Sequence, residues 1–239
     1  MHTTISLESD PTLSEEAVAL PSRAAAKTRR FVRGDSVYES ILRQLNARLS
    51  TEKTPAVGIT GCRSKSGATT LSAKLALQAG EQGIGRVLLI DANWESPSLQ
   101  ETLELIPNSG LYNVLVGDIS PQDCEPEQIA ENVFVISSGN IRSTSGARVE
   151  QHLAEEAIEH LRSYYDLILV DLPTANDLRS ALPVAKLLDG VLLVTRSEAI
   201  ERLEVQQVAQ QLQRDGIELW GTILNQYREH LPAWLKKWL

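Results

Sequence analysis

The chain is poor in the residues that build metal and disulfide scaffolds. It has two cysteines in 239 residues, Cys62 and Cys124. They stand far apart, without the short spacings of a zinc site and without enough partners for a disulfide framework. Basic residues are also short: 23 Lys and Arg face 31 Asp and Glu, a net charge of −8. That balance argues against a dedicated nucleic-acid binder. No apolar run approaches the roughly 18 residues of a membrane helix. No secretory signal is legible, because the N-terminus is polar and acidic before it turns basic. Internal repeats and low-complexity blocks are absent too. What remains is enough chain for one substantial core plus tails, and the expectation is a soluble cytoplasmic protein.

Composition divides the chain into three. Residues 1–33 are rich in Ser, Thr, Glu and Ala with little apolar periodicity, and are predicted to be disordered. Their second half carries Arg23, Lys27, Arg29, Arg30 and Arg33. Such a run is either simply solvated or drawn to an anionic membrane face or an acidic partner. Residues 34–226 form the expected domain. A helix is predicted over 35–49, capped by Asp35 or Ser36, with Val37, Ile41, Leu45 and Leu49 on one face. Apolar strands at 55–60, 86–91, 132–137, 166–173, 190–195 and 219–225 then alternate with helices at 69–82, 151–164, 178–188 and 198–214. Continuous apolar strands separated by helices predict an α/β fold, a parallel sheet covered on both faces. Residues 227–239 form a tail, LPAWLKKWL at its end, in which Trp234 and Trp238 share a helical face with Lys236 and Lys237 between them. The tail either docks on its own domain or makes a peripheral contact with a membrane surface or a membrane-bound partner.

Ligands of such sheets bind at the carboxyl ends of the strands, and three features converge there. One is the stretch VGITGCRSKSGATT (57–70), between a strand and a helix. A P-loop reads G-x-x-x-x-G-K-[ST], and its four defining positions fall on Cys62, Gly67, Ala68 and Thr69. The second glycine and the hydroxyl are present; the first glycine and the lysine are not. Backbone N–H groups at a helix N-terminus still attract phosphate, so Gly61, Arg63, Lys65, Ser66, Gly67, Ala68, Thr69 and Thr70 are the candidate cradle for ATP or ADP. The other two features are Asp91, closing RVLLID, and Asp171, closing DLILVD where a Walker B acid would stand. Asp91 and Asp171 are the candidate catalytic carboxylates, and with Thr69 they are the candidate Mg²⁺ ligands.

The order of motifs resembles the bacterial tyrosine autokinases of capsule and exopolysaccharide synthesis, the CpsD/CapB type, within the deviant P-loop group that includes MinD and ParA. The resemblance rests on VLLIDANWESPSL (87–99), SGLYNVLVGD (109–118), YDLILVDLP (165–173), DGVLLVTRSEA (189–199) and GTILNQ (221–226), in that order. It implies a P-loop NTPase fold, an Asn225 that contacts the nucleotide base, and a role in polysaccharide export. The implied partner is a membrane polysaccharide co-polymerase, a chain-length regulator, met at the cytoplasmic face of the inner membrane.

Departures from the family pattern shape the functional expectation. The family's P-loop lysine is Ala68, which removes a charge-assisted phosphate contact of roughly 1.5–3 kcal/mol. Losing one such donor typically slows transfer about 10²–10³-fold. A loop glycine is Lys65, so the backbone is expected to wrap a phosphate less freely. The second acid of the family's LLIDAD is Asn93, and its Arg-Arg is Glu95–Ser96. The C-terminal tyrosine cluster is reduced to Tyr227. The family's E-x-x-R-x-x-R element, which supports ring-shaped homo-oligomers, is replaced by Glu39, Arg43 and Arg48 at other spacings. Three cations could compensate for the lysine: Arg63, at the position of the MinD/ParA signature lysine; Lys65; and Lys74, deeper in the helix. The preferred reading is a pseudokinase, a non-catalytic or weakly nucleotide-binding relative. The alternatives are an active ATP-dependent tyrosine kinase or ATPase using Arg63 or Lys65, and a MinD/ParA-like positioning ATPase.

Overall fold

The computed structural model describes residues 36–46, 53–106, 108–139, 149–196 and 202–225. The predicted disordered segment, the tail with Trp234 and Trp238, Asp35, Arg48 and Tyr227 lie outside them. Helix α1 (Ser36–Asn46) leads into β1 (Ala56–Gly61), α2 (Ala68–Glu81) and β2 (Val87–Asp91). Two short helices follow, α3 (Leu99–Leu103) and α4 (Leu111–Leu115), then β3 (Glu127–Ala130) and β4 (Val133–Ile136). The chain continues through α5 (Gln151–Arg162), β5 (Leu167–Asp171), α6 (Leu182–Ala185), β6 (Gly190–Arg196), α7 (Arg202–Arg214) and β7 (Leu219–Asn225).

The strands form one seven-stranded sheet in the order β3-β4-β2-β5-β1-β6-β7. All pairs are parallel except β3–β4, which is antiparallel. The sequence reading did not include β3, for a physical reason. It is a four-residue edge strand, EQIA, in which only Ile129 is buried. An edge strand with one wet face has no continuous apolar run to announce it. The helix expected over 178–188 is also corrected: only Leu182–Ala185 is α-helical, with turns before it. Pro183 sits in its first turn, where a missing N–H is tolerated; further upstream extension would place the ring inside the helix.

Alternation along the strands sorts side chains to two cores. Leu88, Ile90, Ile168, Val170, Val191 and Leu193 pack with α4, α5, α6 and α7. Val57, Ile59, Val87, Leu89, Leu167, Leu169 and Val194 pack with α1, α2 and α3. Helix α2 approaches closely because Ala73, Ala76 and Ala79 are wholly buried. At the amino end of the sheet, the buried Arg162 donates to both carboxylate oxygens of Asp189, at 2.9 and 3.1 Å, and to the Leu187 carbonyl at 3.2 Å. It also bonds the Thr54 carbonyl, and Asp189 accepts the Ala56 N–H at 2.7 Å. This cluster ties the entry of β1, the end of α5 and the entry of β6 together, at the end of the sheet opposite the P-loop.

Candidate functional site

The segment between β1 and α2 folds as a phosphate-type loop despite its residues. The Cys62 N–H donates to the Val194 carbonyl at 2.8 Å, tying the loop's start to β6. Gly67, with φ 91°, caps α2 and, being glycine, supplies no side-chain cap to that helix end. The first N–H groups of α2 therefore keep the anion-attracting arrangement of an uncapped helix start. Lys65 has φ 61°, in the left-handed region that favours glycine. The obstacle expected from Lys65 is thus absent as geometry and present as strain. A non-glycine residue there costs roughly 1–2 kcal/mol. Lys65→Gly is expected to raise the unfolding free energy by up to about 1 kcal/mol, the gain being reduced by glycine's greater unfolded-state freedom. Urea denaturation checks this, and a loss of stability would contradict it.

The loop opens on a crevice of about 460 Å³, within the range of about 300–1,000 Å³ usual for small-molecule sites. Residues 63–70 form its floor, Asn93, Ser96 and Ser98 after β2 one wall, and Thr174 and Asp177 after β5 another. Two bonds hold the second wall against the loop's root. The Ala175 N–H donates to the Gly61 carbonyl at 2.9 Å, and the Thr60 hydroxyl donates to the Pro173 carbonyl at 2.6 Å.

Asp91 and Asp171 lie beneath the crevice. They are register partners at the ends of neighbouring strands, and alternation turns both toward α2. Asp91 is 0% exposed and Asp171 1%. The Asp91 carboxylate accepts the Asn93 N–H at 2.9 Å, and Ser72 of α2 donates to Asp171 at 3.1 Å. Burial pushes Asp91 up to about 6, opposed by the Asn93 and Leu99 backbone N–H groups. Burial and, secondly, the Asp91 charge push Asp171 up to about 7, opposed by the Thr69 and Ser72 hydroxyls. The Oδ2 atoms of both acids are buried without a hydrogen-bond partner.

Two orphaned carboxylate oxygens beside a threonine hydroxyl fit a hard divalent cation. No cluster of three or more His, Cys, Asp or Glu able to hold a metal occurs among the described residues. A cation here would therefore draw most of its ligands from water and phosphate, as Mg²⁺ does. Thr69, Asp91 and Asp171 would hold it, and its chemistry would be to neutralise phosphate charge.

The candidate substitutes for the missing lysine are placed as follows. Arg63 donates through Nε and Nη2 to the two carboxylate oxygens of Glu204 on α7, at 2.5 and 2.6 Å. Lys74 lies over the Tyr38 ring of α1, 5.3 Å from its centre. Lys65 is exposed at the crevice rim, and Ala68 is buried in the loop. Asn225, which the resemblance assigns to a base, donates its amide to the Ser66 carbonyl at 2.9 Å. A Cβ on Gly67 would collide with that amide, so Asn225 braces the loop against β7. Sequence reasoning missed Ser72, Ser98, Asp177 and Glu204. Ser98 donates to the Thr69 hydroxyl at 3.1 Å and lies inside a quoted motif string; the other three carried no motif signal.

The parallel sheet with its loop-to-helix crevice and paired strand-end acids defines a P-loop NTPase-like fold of the MinD/ParA type. The chain is similar to the tyrosine-protein kinase CpsD of Streptococcus agalactiae serotype III (strain NEM316), 26% identical over 210 residues that span 87% of this chain and 89% of the relative. The fold is similar to that of the kinase domain of Escherichia coli tyrosine kinase ETK, with a TM-score of 0.67 and 21% identity, covering 83% of this chain and 79% of that one. It is also similar to septum site-determining protein MinD complexed with Mg-ADP from Pyrococcus horikoshii OT3, with a TM-score of 0.63 and 26% identity, covering 77% and 76%. No protein-family model matches the chain. No helix among the described residues is long and apolar enough to cross a membrane.

Proposed function

We propose that this chain is a non-catalytic or weakly nucleotide-binding relative of the bacterial tyrosine autokinases. In this reading it serves exopolysaccharide assembly by binding a membrane polysaccharide co-polymerase at the cytoplasmic face. Relatives named as tyrosine-protein kinases support the family side of the reading. One observation carries the non-catalytic side: a methyl group stands at the lysine position, and Arg63, the cation best placed to replace it, is held by Glu204 on α7. An alanine supplies no point charge to phosphates, and phosphoryl transfer depends on positioning and charge stabilisation.

The test is incubation with radiolabelled ATP and Mg²⁺. The expected result is no phosphotyrosine and no turnover above background. Turnover or phosphotyrosine that disappears in Asp171→Ala would overturn the reading. Two features favour the runner-up, an ATP-dependent kinase or ATPase. The acid pair is intact in position, and Lys65 stands at the rim of the crevice.

Ala68→Lys is expected to raise affinity for ADP and ATP roughly 10–100-fold, the worth of one charge-assisted phosphate contact. Since Lys65 already has the left-handed backbone, the single change is expected to suffice without Lys65→Gly. Calorimetric titration in Mg²⁺ reads this directly. No gain from either variant would mean that the lysine position is not what limits binding.

A further inference from the structure

We propose that Asp177 is a specificity-determining residue that makes the crevice select a nucleoside diphosphate over a triphosphate. The inference rests on the proposed function in its weak-binding form.

The balance of charge around the crevice carries it. The cradle offers uncapped backbone N–H groups at the start of α2 and orphaned carboxylate oxygens beneath, which suit a phosphate group with a divalent cation. Above them the walls are short of positive charge. Position 68 is alanine, and Arg63 is paired with Glu204. Among the described residues, Lys65 at the rim is the remaining cation of the lining. The wall after β5 instead presents an acid. The Asp177 carboxylate accepts the Thr174 hydroxyl at 2.6 Å, and both residues line the crevice. The Asp177 N–H also donates to the Thr174 carbonyl at 2.8 Å, and Ala175 is bonded to Gly61 at the loop's root. The carboxylate is therefore held on the crevice wall by a turn that is itself fixed to the loop. A third phosphate adds negative charge to a space bounded by Asp177 and underlain by Asp91 and Asp171, with no lysine at position 68 and only the exposed Lys65 at the rim to offset it. A diphosphate satisfies the backbone donors with less of that charge, so like-charge repulsion discriminates between the two ligands.

The experiment is calorimetric titration of the full chain with ADP and with ATP at saturating Mg²⁺, for the wild type, Asp177→Asn and Glu95→Gln. The amide of Asp177→Asn still accepts the Thr174 hydroxyl, so the turn is kept while the charge is removed. Glu95 is exposed near the site but does not line the crevice, and it reports any general effect of surface charge. Wild type is expected to bind ADP roughly tenfold more tightly than ATP, a ratio in keeping with one like-charge contact in a partly screened site. Asp177→Asn should shrink the ratio to about twofold, by tightening ATP rather than loosening ADP, and Glu95→Gln should leave it unchanged. Equal affinities in the wild type, an unchanged ratio in Asp177→Asn, or an equal effect from Glu95→Gln would each overturn the assignment. Binding of neither nucleotide would overturn it too, while leaving the non-catalytic reading standing. Turnover of bound ATP would instead overturn that reading, and the ratio in Asp177→Asn would still judge Asp177.

Discussion

Asp171→Asn is expected to raise the unfolding free energy by about 2–4 kcal/mol at pH 8 in the absence of divalent cations. Its carboxyl is lifted from 3.8 to about 7, chiefly by burial and then by Asp91. A group raised in the folded state holds its proton longer there than in the unfolded chain. Stability is then complete below pH 4 and falls as pH rises through about 7, because the native state must bury a charge that the unfolded state hydrates. Asp91, lifted to about 6, adds a fall over a lower window. Wild type minus Asp171→Asn isolates the Asp171 contribution, and chemical denaturation at pH 5 and pH 8 reads it. The variant should gain much more at pH 8 than at pH 5. Mg²⁺ should stabilise the wild type at pH 8 and help the variant far less, since a bound cation offsets the buried charge. A pH-independent difference between the two proteins would refute the account.

The second large effect lies at the other end of the sheet. Asp189→Ala is expected to cost about 3–5 kcal/mol, because it leaves a buried guanidinium with only the largely exposed Glu159 carboxylate, 3.8 Å away, as counter-charge. The Arg162 side chain is 4% exposed, and Asp189 supplies both of its carboxylate bonds. The variant also loses the acceptor of the Ala56 N–H. The double change Arg162→Met with Asp189→Leu should recover a large part of the loss, since a buried ion pair often does no better than apolar groups of similar volume. Urea midpoints for the single and double variants measure both. A single-variant loss below about 1 kcal/mol, the scale of a surface pair, would show that the cluster is solvated in solution. Neither residue is near the crevice, so nucleotide titrations on the Asp189 variants, where they fold, should match the wild type.

Most of the frame was legible from local pattern. The runs VLLID, LILVD and GVLLVT are buried on both faces, and a doubly buried strand needs apolar residues at every position, so its sequence announces it. Edge strand β3 has one buried residue and no continuous apolar run, and the five-residue helices α3 and α4 are too short to show a helical period, so none of the three announces itself in the sequence. The helix expected over 178–188 exceeds α6 for a local reason: the apolar periodicity is real, but Pro183 and the turns before it divide the segment. At the site, the loop, Asp91 and Asp171 could be placed at strand ends from the sequence. Their shared burial could not, nor could the commitment of Arg63 to Glu204, 141 residues away.

The sequence by itself determined the class of fold and the chemical content of the crevice. Apolar strands in alternation with helices have one economical packing, and an alanine where a lysine would stand withholds a charge whatever surrounds it. Tertiary structure decided what that content amounts to. Parallel pairing of β2 with β5 sets Asp91 beside Asp171 under α2, which turns two ordinary strand-end acids into a buried pair with raised proton affinity. Packing of α7 against the loop gives Arg63 its carboxylate partner, and Asn225 at the end of β7 braces Ser66. Register and helix placement are collective outcomes of burying two faces of one sheet. They are not written in any one segment, and the charge environment of the crevice follows from them.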